Sequence, residues 1–319
     1  MTRKVQPYGC DQVNPVRLIR SDRLLVELAS PGTVYSRPRF DWGGAVVQVT
    51  LDGEHRFCSA DRRPHPFSCG GIGLMNEFIP SDQGTFDNPE YGGSFIKIGV
   101  GILGNGTGLP YSQKTNYPME LPLSYTEEWS ASTYSVRGVQ SDFFGYAYEL
   151  AKTVTAAGTE LILEMELKNT GKKTLEFQEY NHNFLYLSPG GVPAPGIHAA
   201  GTAGHSVAVR WKPELGNPAD FDIVADSADG LHRAVLKDFA GEAAFTEFRG
   251  YPSGEKGYFL LSCPPTGLSV SETLDRPLSK MALWATKDVV CPELFASFRV
   301  EAGESVRWQR RYGFSAGAV

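Results

Sequence analysis

An antiparallel, mostly β fold is the class this sequence predicts, on three observations. Apolar residues rarely recur at three-four spacing over a long window, so long amphipathic helices are not expected. Gly and Pro are frequent, 35 and 21 of 319 residues, which provides for many turns. The aromatic content of 18 Phe, 14 Tyr and 5 Trp suits the pleated, half-buried surface of strands. With 41% hydrophobic and 21% charged residues the chain can bury a large core, which excludes disorder.

Strand-like runs follow in order at 24–29, 45–51, 94–102, 146–154, 160–167 and 174–187. The C-terminal half adds 205–211, 221–225, 231–238, 257–263, 268–274, 281–286, 294–300 and 305–314. Turn signals separate them. Asp52-Gly53 closes one strand, and Asn169-Thr170-Gly171-Lys172-Lys173 reads as a hairpin connection, as does Ala302-Gly303-Glu304. Two stretches, 79–117 and 188–204, are rich in turn residues yet carry apolar or aromatic side chains. They read as long surface loops, where binding residues concentrate.

The formal net charge of −6 offers no basic excess to a phosphate backbone, so nucleic acid is not an expected partner. No apolar run approaches the ~20 residues that span a bilayer, and none follows the basic residues of the N-terminus as in a signal peptide. The five Cys (10, 58, 69, 263, 291) are scattered and form no CxxC. They read as reduced thiols, and with them the expected location is cytoplasmic.

The run Gly99-Val-Gly101-Ile-Leu-Gly104 matches GxGxxG, but residues 105–110 cannot continue as the helix whose N-terminus would face a pyrophosphate, so a Gly-rich strand and turn is the reading. No GxSxG, HExxH or His-x-His is present, and no metal site is expected. The segment 175–187, LEFQEYNHNFLYL, is more informative. As a strand it places Gln178, Tyr180, His182, Phe184 and Tyr186 on one face, with Phe177, Glu179, Asn181 and Asn183 on the other. An imidazole among rings and amides can cover a sugar's C–H patches and bond its hydroxyls; a solvent-facing edge strand is the plainer alternative. Glu293 is a lone acid in the apolar run Val290-Cys-Pro-Glu-Leu-Phe295, where desolvation would raise its pKa toward general acid/base work.

Four stretches, in order, resemble the galactose mutarotase-like superfamily of aldose 1-epimerases and hexose-6-phosphate epimerases. They are the run from Arg39 through Gly43-Gly44-Ala45, then Cys69-Gly-Gly-Ile-Gly73, Asn181-His182-Asn183-Phe184, and Cys291-Pro-Glu293 followed by Glu301-Ala-Gly-Glu304 and Trp308. The resemblance implies one domain over residues 1–319, a large antiparallel β supersandwich with a sugar in its concave face. It implies interconversion of the anomers of a free or modified monosaccharide, with Glu293 as the base on the anomeric hydroxyl and His182 as the acid on the ring oxygen. No cofactor is implied, and the chain is expected as a monomer or homodimer. Arg39, Glu77, Lys97, Tyr180, Asn181 and Trp284 are the expected substrate-binding residues. The family's second His has no counterpart in 94–99, where Lys97 stands as a substitute hydrogen-bond donor. Arg39, Arg62 and Arg63 offer guanidinium groups to a phosphate or carboxylate. The carboxylate of Glu293 and the ring of His182 are expected to face one cleft, a sugar ring apart. The rival readings are a carbohydrate-binding protein without turnover and a polysaccharide lyase or hydrolase.

Overall fold

The computed structural model describes residues 3–5, 15–63, 70–80, 93–105, 110–187, 202–224 and 229–317. Every regular element among them is a strand, as the sequence predicts. One sheet runs in the spatial order β1 (Arg3–Val5), β10 (Ser124–Trp129), β11 (Thr133–Phe143), β12 (Tyr146–Ala157), β13 (Glu160–Asn169), β24 (Ser305–Ala316), β21 (Leu268–Pro277), β20 (Lys256–Cys263), β15 (Ser206–Val209), β18 (His232–Leu236) and β17 (Phe221–Val224). The second runs β16 (Glu214–Leu215), β19 (Ala244–Arg249), β22 (Lys280–Ala285), β23 (Val290–Val300), β14 (Leu175–Asn183), β6 (Leu74–Pro80), β4 (Val46–Leu51), β3 (Leu24–Ala29) and β2 (Val16–Arg20), with β5 (His55–Arg56) beside β4. A small sheet of β7 (Ser94–Lys97), β8 (Gly101–Gly104) and β9 (Met119–Pro122) completes the fold. All pairings between these strands are antiparallel.

The two large sheets face each other because their strands alternate. In β13, Leu161, Leu163, Met165 and Leu167 are buried while Glu164 and Lys168 are exposed. In β24 the buried set is Trp308, Arg310, Tyr312 and Phe314. Aromatic rings fill the space between the sheets: Phe177 stacks on Phe298 at 5.1 Å, and Phe298 meets Trp308 of the opposite sheet at 4.8 Å. Among the described residues no helix is long and apolar enough to cross a membrane.

Three sequence expectations change. The turn at 169–173 and the one at 302–304 are not hairpins: each carries the chain from one large sheet to the other. Both cross beside Asn169, whose backbone exchanges hydrogen bonds with Gly303 and Glu304 and whose side-chain amide donates to the carbonyls of Lys173 and Val300. Turn residues mark a reversal of direction but not the sheet that receives the next strand. The run 94–102 is two strands, because the chain reverses at Ile98–Val100, with Gly99 at φ 76° and its carbonyl accepting from Trp42. Strands β2, β6, β10, β11 and β19 were not marked by the sequence pattern, and β6 and β19 prove central to the site. The reversal at Asp52-Gly53 is as expected, with both residues at positive φ.

Candidate functional site

Strand β14 lies inside its sheet, between β23 and β6, not at an edge. Its ladder with β23 pairs Leu175 with Val300 through Tyr180 with Phe295, and resumes in the same register at Leu185 and Val290. Between these points the register sets His182 directly opposite Glu293 and Asn183 opposite Pro292. Directly opposed residues share a face and stand close enough to touch. His182 Nε2 accordingly lies 3.1 Å from Glu293 Oε1.

The ladder opens there for a covalent reason. Leu185 and Val290 exchange backbone hydrogen bonds, so two residues on, Pro292 should present an N–H to β14, and proline has none. The freed carbonyls on β23 are taken by side chains instead. Asn183 Nδ2 donates to the Pro292 carbonyl at 2.7 Å, and Arg310 Nη2 donates to that of Leu294 at 2.8 Å. Glu293 is thus clamped through its neighbours on both sides. Arg310 comes from the opposite sheet, is fully buried, and pairs with Glu179 and Glu272.

The same register arranges the rest of the face. One row runs Glu77, Tyr180, Phe295, Lys280; the next runs Met75, His182, Glu293, Ala282, Glu247; a third contains Cys291, Trp284 and Phe245. Above them opens a cleft of about 560 Å³ lined also by Arg39, Arg63, Gln113, Lys114 and Phe184. Its aromatic rings are largely covered. Phe184 stacks on His182 at 4.2 Å, Phe295 lies between Tyr180 at 4.2 Å and the Lys280 ammonium at 4.6 Å, and Arg63 sits 4.7 Å over Trp284. Gly71 allows Phe184 its place, since a Cβ there would come within 2.0 Å of that ring.

Burial pushes the Glu293 carboxyl up to about 8, although Arg39 and Lys280 act against it. Burial also holds His182 well below its ordinary value, and Arg39 and Arg63 add to this. Both shifts favour the uncharged forms at neutral pH, a protonated Glu293 and a neutral His182. His182 Nδ1 is buried without a hydrogen-bond partner among the described residues.

The expected binding residues divide. Arg39, Tyr180 and Trp284 line the cleft with the pair. Glu77 and Lys97 lie beneath its floor, 0% and 1% exposed. Lys97 Nζ donates to Glu77 at 3.2 Å and to Tyr111 at 2.7 Å, so it does not stand free as a donor to a sugar hydroxyl. Glu77 accepts from Arg39 at 2.7 Å and from the Tyr180 hydroxyl at 2.5 Å. Burial works to raise its carboxyl, but Arg39 and Lys97 outweigh it and hold it ionised. Asn181 does not reach the cleft. Strand alternation turns it toward the opposite sheet, where its amide donates to Tyr312 at 2.5 Å. Arg62 is exposed, whereas Arg63 is held by Asp61 at 2.9 Å. His65, Cys69 and His198 lie outside the described residues. The separation of a sugar ring between Glu293 and His182 is not found, because opposed residues on adjacent strands leave no such room. Phe245 and Lys280 were missed: nothing local to either marks it as part of a cleft. Among the described residues no group of three or more His, Cys, Asp or Glu converges as metal ligands would.

Solved structures share this fold. The Slr1438 protein from Synechocystis sp. PCC 6803 matches 97% of this chain and 100% of its own, at 15% identity and a TM-score of 0.55. A galactose mutarotase-like protein from Lactobacillus casei matches 94% of this chain and 100% of its own, at 13% identity and 0.56. The GalM/aldose epimerase homologue from C. elegans matches 94% and 98%, at 11% identity and 0.52. No protein-family model matches the chain, and no curated protein matches its sequence. The fold is that of the galactose mutarotase-like proteins, an all-β sandwich of large antiparallel sheets.

Proposed function

We propose that this galactose mutarotase-like fold carries an aldose 1-epimerase-like activity, the interconversion of sugar anomers by ring opening and closure. The observation that carries the reading is the His182–Glu293 contact of 3.1 Å at the floor of an open cleft. Opening a pyranose moves one proton from the anomeric hydroxyl and one onto the ring oxygen. Both oxygens are bonded to the same carbon, so an acid and a base in contact with each other can serve both at once. Glu293 gives its proton to the ring oxygen as the ring C–O bond breaks, and His182 Nε2 accepts the proton of the anomeric hydroxyl. The open aldehyde turns about its C1–C2 bond, and the reverse transfers close the ring on the other face. Each group is thus acid in one direction and base in the other. The resting proton on Glu293 starts the cycle in the opposite sense to the roles the family resemblance implies.

Arg39, held rigid by Glu77 and Tyr180, and Gln113 present donors to the hydroxyls of a bound sugar. Mutarotation of glucose and galactose followed by exchange NMR tests the proposal. Glu293→Gln and His182→Ala are each expected to lower kcat/KM by about 10²–10⁴-fold. A wild-type rate in Glu293→Gln sinks it. In the active enzyme kcat/KM should fall as pH rises through about 8, where the pair loses its proton. The binding-only reading draws on Lys97, which stands in place of a second His but is tied to Glu77 beneath the floor. Calorimetric affinity for a sugar with no rate above the uncatalysed exchange would favour it.

A further inference from the structure

Of the rings that line the cleft, Tyr180, Phe184 and Phe295 are 1–3% exposed and Arg63 lies over the half-buried Trp284, whereas Phe245 is 43% exposed. An open aromatic face is what a sugar ring stacks on. Phe245 is the register partner of Trp284 on the neighbouring strand β19, so both project from the same face of the sheet. Strand β19 stands two strands from the β23 of Glu293, about 10 Å at ~4.8 Å per strand. A sugar whose anomeric carbon sits at His182 and Glu293 does not extend that far with the same ring.

One cleft reaches both places, lined by His182 and Glu293 and also by Ala243 and Phe245. Ala282, the partner of Glu293 on β22, is fully buried under this part of the face. Trp284 and Lys280 rise on either side of it, and all three belong to the face that ends at Phe245 and Glu247. The cleft therefore extends from the His182–Glu293 pair to Phe245, past Trp284. Lys280, which lines the cleft and bridges to Glu247 at 3.6 Å, offers a polar group there for hydroxyls.

We infer that Phe245 is the platform for a second sugar ring, and that the preferred substrate is the reducing end of a disaccharide or longer glycan. The reducing ring lies at His182 and Glu293, and the next ring stacks on Phe245. This rests on the anomer-exchange reading of the pair, which it extends by naming the substrate class.

The test compares maltose, cellobiose and lactose with glucose and galactose, in exchange NMR and in calorimetry, for wild type, Phe245→Ala and Phe245→Trp. Wild type is expected to favour at least one of the disaccharides over both monosaccharides. In Phe245→Ala the ratio of disaccharide to monosaccharide kcat/KM should fall about tenfold, mostly through KM, and Phe245→Trp should restore it. An unchanged ratio in Phe245→Ala, or no disaccharide preference in wild type, overturns the inference. If no sugar is interconverted at all, the anomer-exchange reading fails while calorimetry still decides the platform. Disaccharide affinity that drops in Phe245→Ala retains the second-ring site, and equal affinity in the two proteins removes it.

Discussion

Glu293 holds a proton that an exposed carboxyl would have lost, and this has a consequence for stability. Its carboxyl ionises near 8 in the folded chain and at about 4.3 in an unfolded one. Between those values the folded chain binds the extra proton, so stability falls as pH rises and is lowest above about 8. Glu293→Gln has no proton to lose there. The variant should match wild type near pH 4 and exceed it progressively toward pH 8.5, by on the order of a few kcal/mol. Urea unfolding at pH 4.5, 6.5 and 8.5 measures the gap, and a gap independent of pH would show that burial does not hold the carboxyl protonated. At this scale the sequence was legible in part. A lone acid in an apolar run does point to a raised pKa. Asn181, two residues from Glu179 on the same buried face, is polar for a reason the sequence hides: it satisfies Tyr312 between the sheets.

At the scale of the element, the site depends on an interruption in the β14–β23 ladder. Pro292 removes one N–H, the strands stay apart, and Asn183 and Arg310 take the exposed carbonyls. Pro292→Val returns the missing donor at a position that faces β14. The ladder is then expected to close, with the melting temperature unchanged or higher, while kcat/KM falls at least about tenfold as Glu293 shifts from its clamp. Thermal unfolding together with mutarotation rates checks this, and a variant with wild-type activity would show that the gap does not position Glu293. The alternation of Tyr180, His182 and Phe184 toward one face could be read from the sequence, because period two is a local property. The partner strand could not: β23 follows β14 by more than a hundred residues, and Pro292 reads only as a strand breaker until its neighbour is known.

Across the whole molecule, Arg310 joins the two sheets beneath the cleft. It is fully buried with Glu179 and Glu272 and contacts the carbonyl next to Glu293. Removing the cation alone strands two carboxyls in the core. Arg310→Met should lower stability by about 3–5 kcal/mol, and adding Glu179→Gln and Glu272→Gln should recover much of the loss. Denaturant unfolding of the single and triple variants measures both, and a single variant as stable as wild type would show that the network does not hold the sheets together.

The sequence by itself determined the all-β class, the short alternating strands and the residue types that gather at the site. Tertiary structure alone decided that the turns at 169–173 and 302–304 cross between sheets and that His182 and Glu293 touch. It also decided that Lys97 and Glu77 lie beneath the floor and that Phe245 joins the cleft. Periodicity and turn chemistry act over a few residues and survive in the linear pattern. Which strands become neighbours is set by how the whole chain buries its apolar faces, and a site built across five strands exists only once that choice is made.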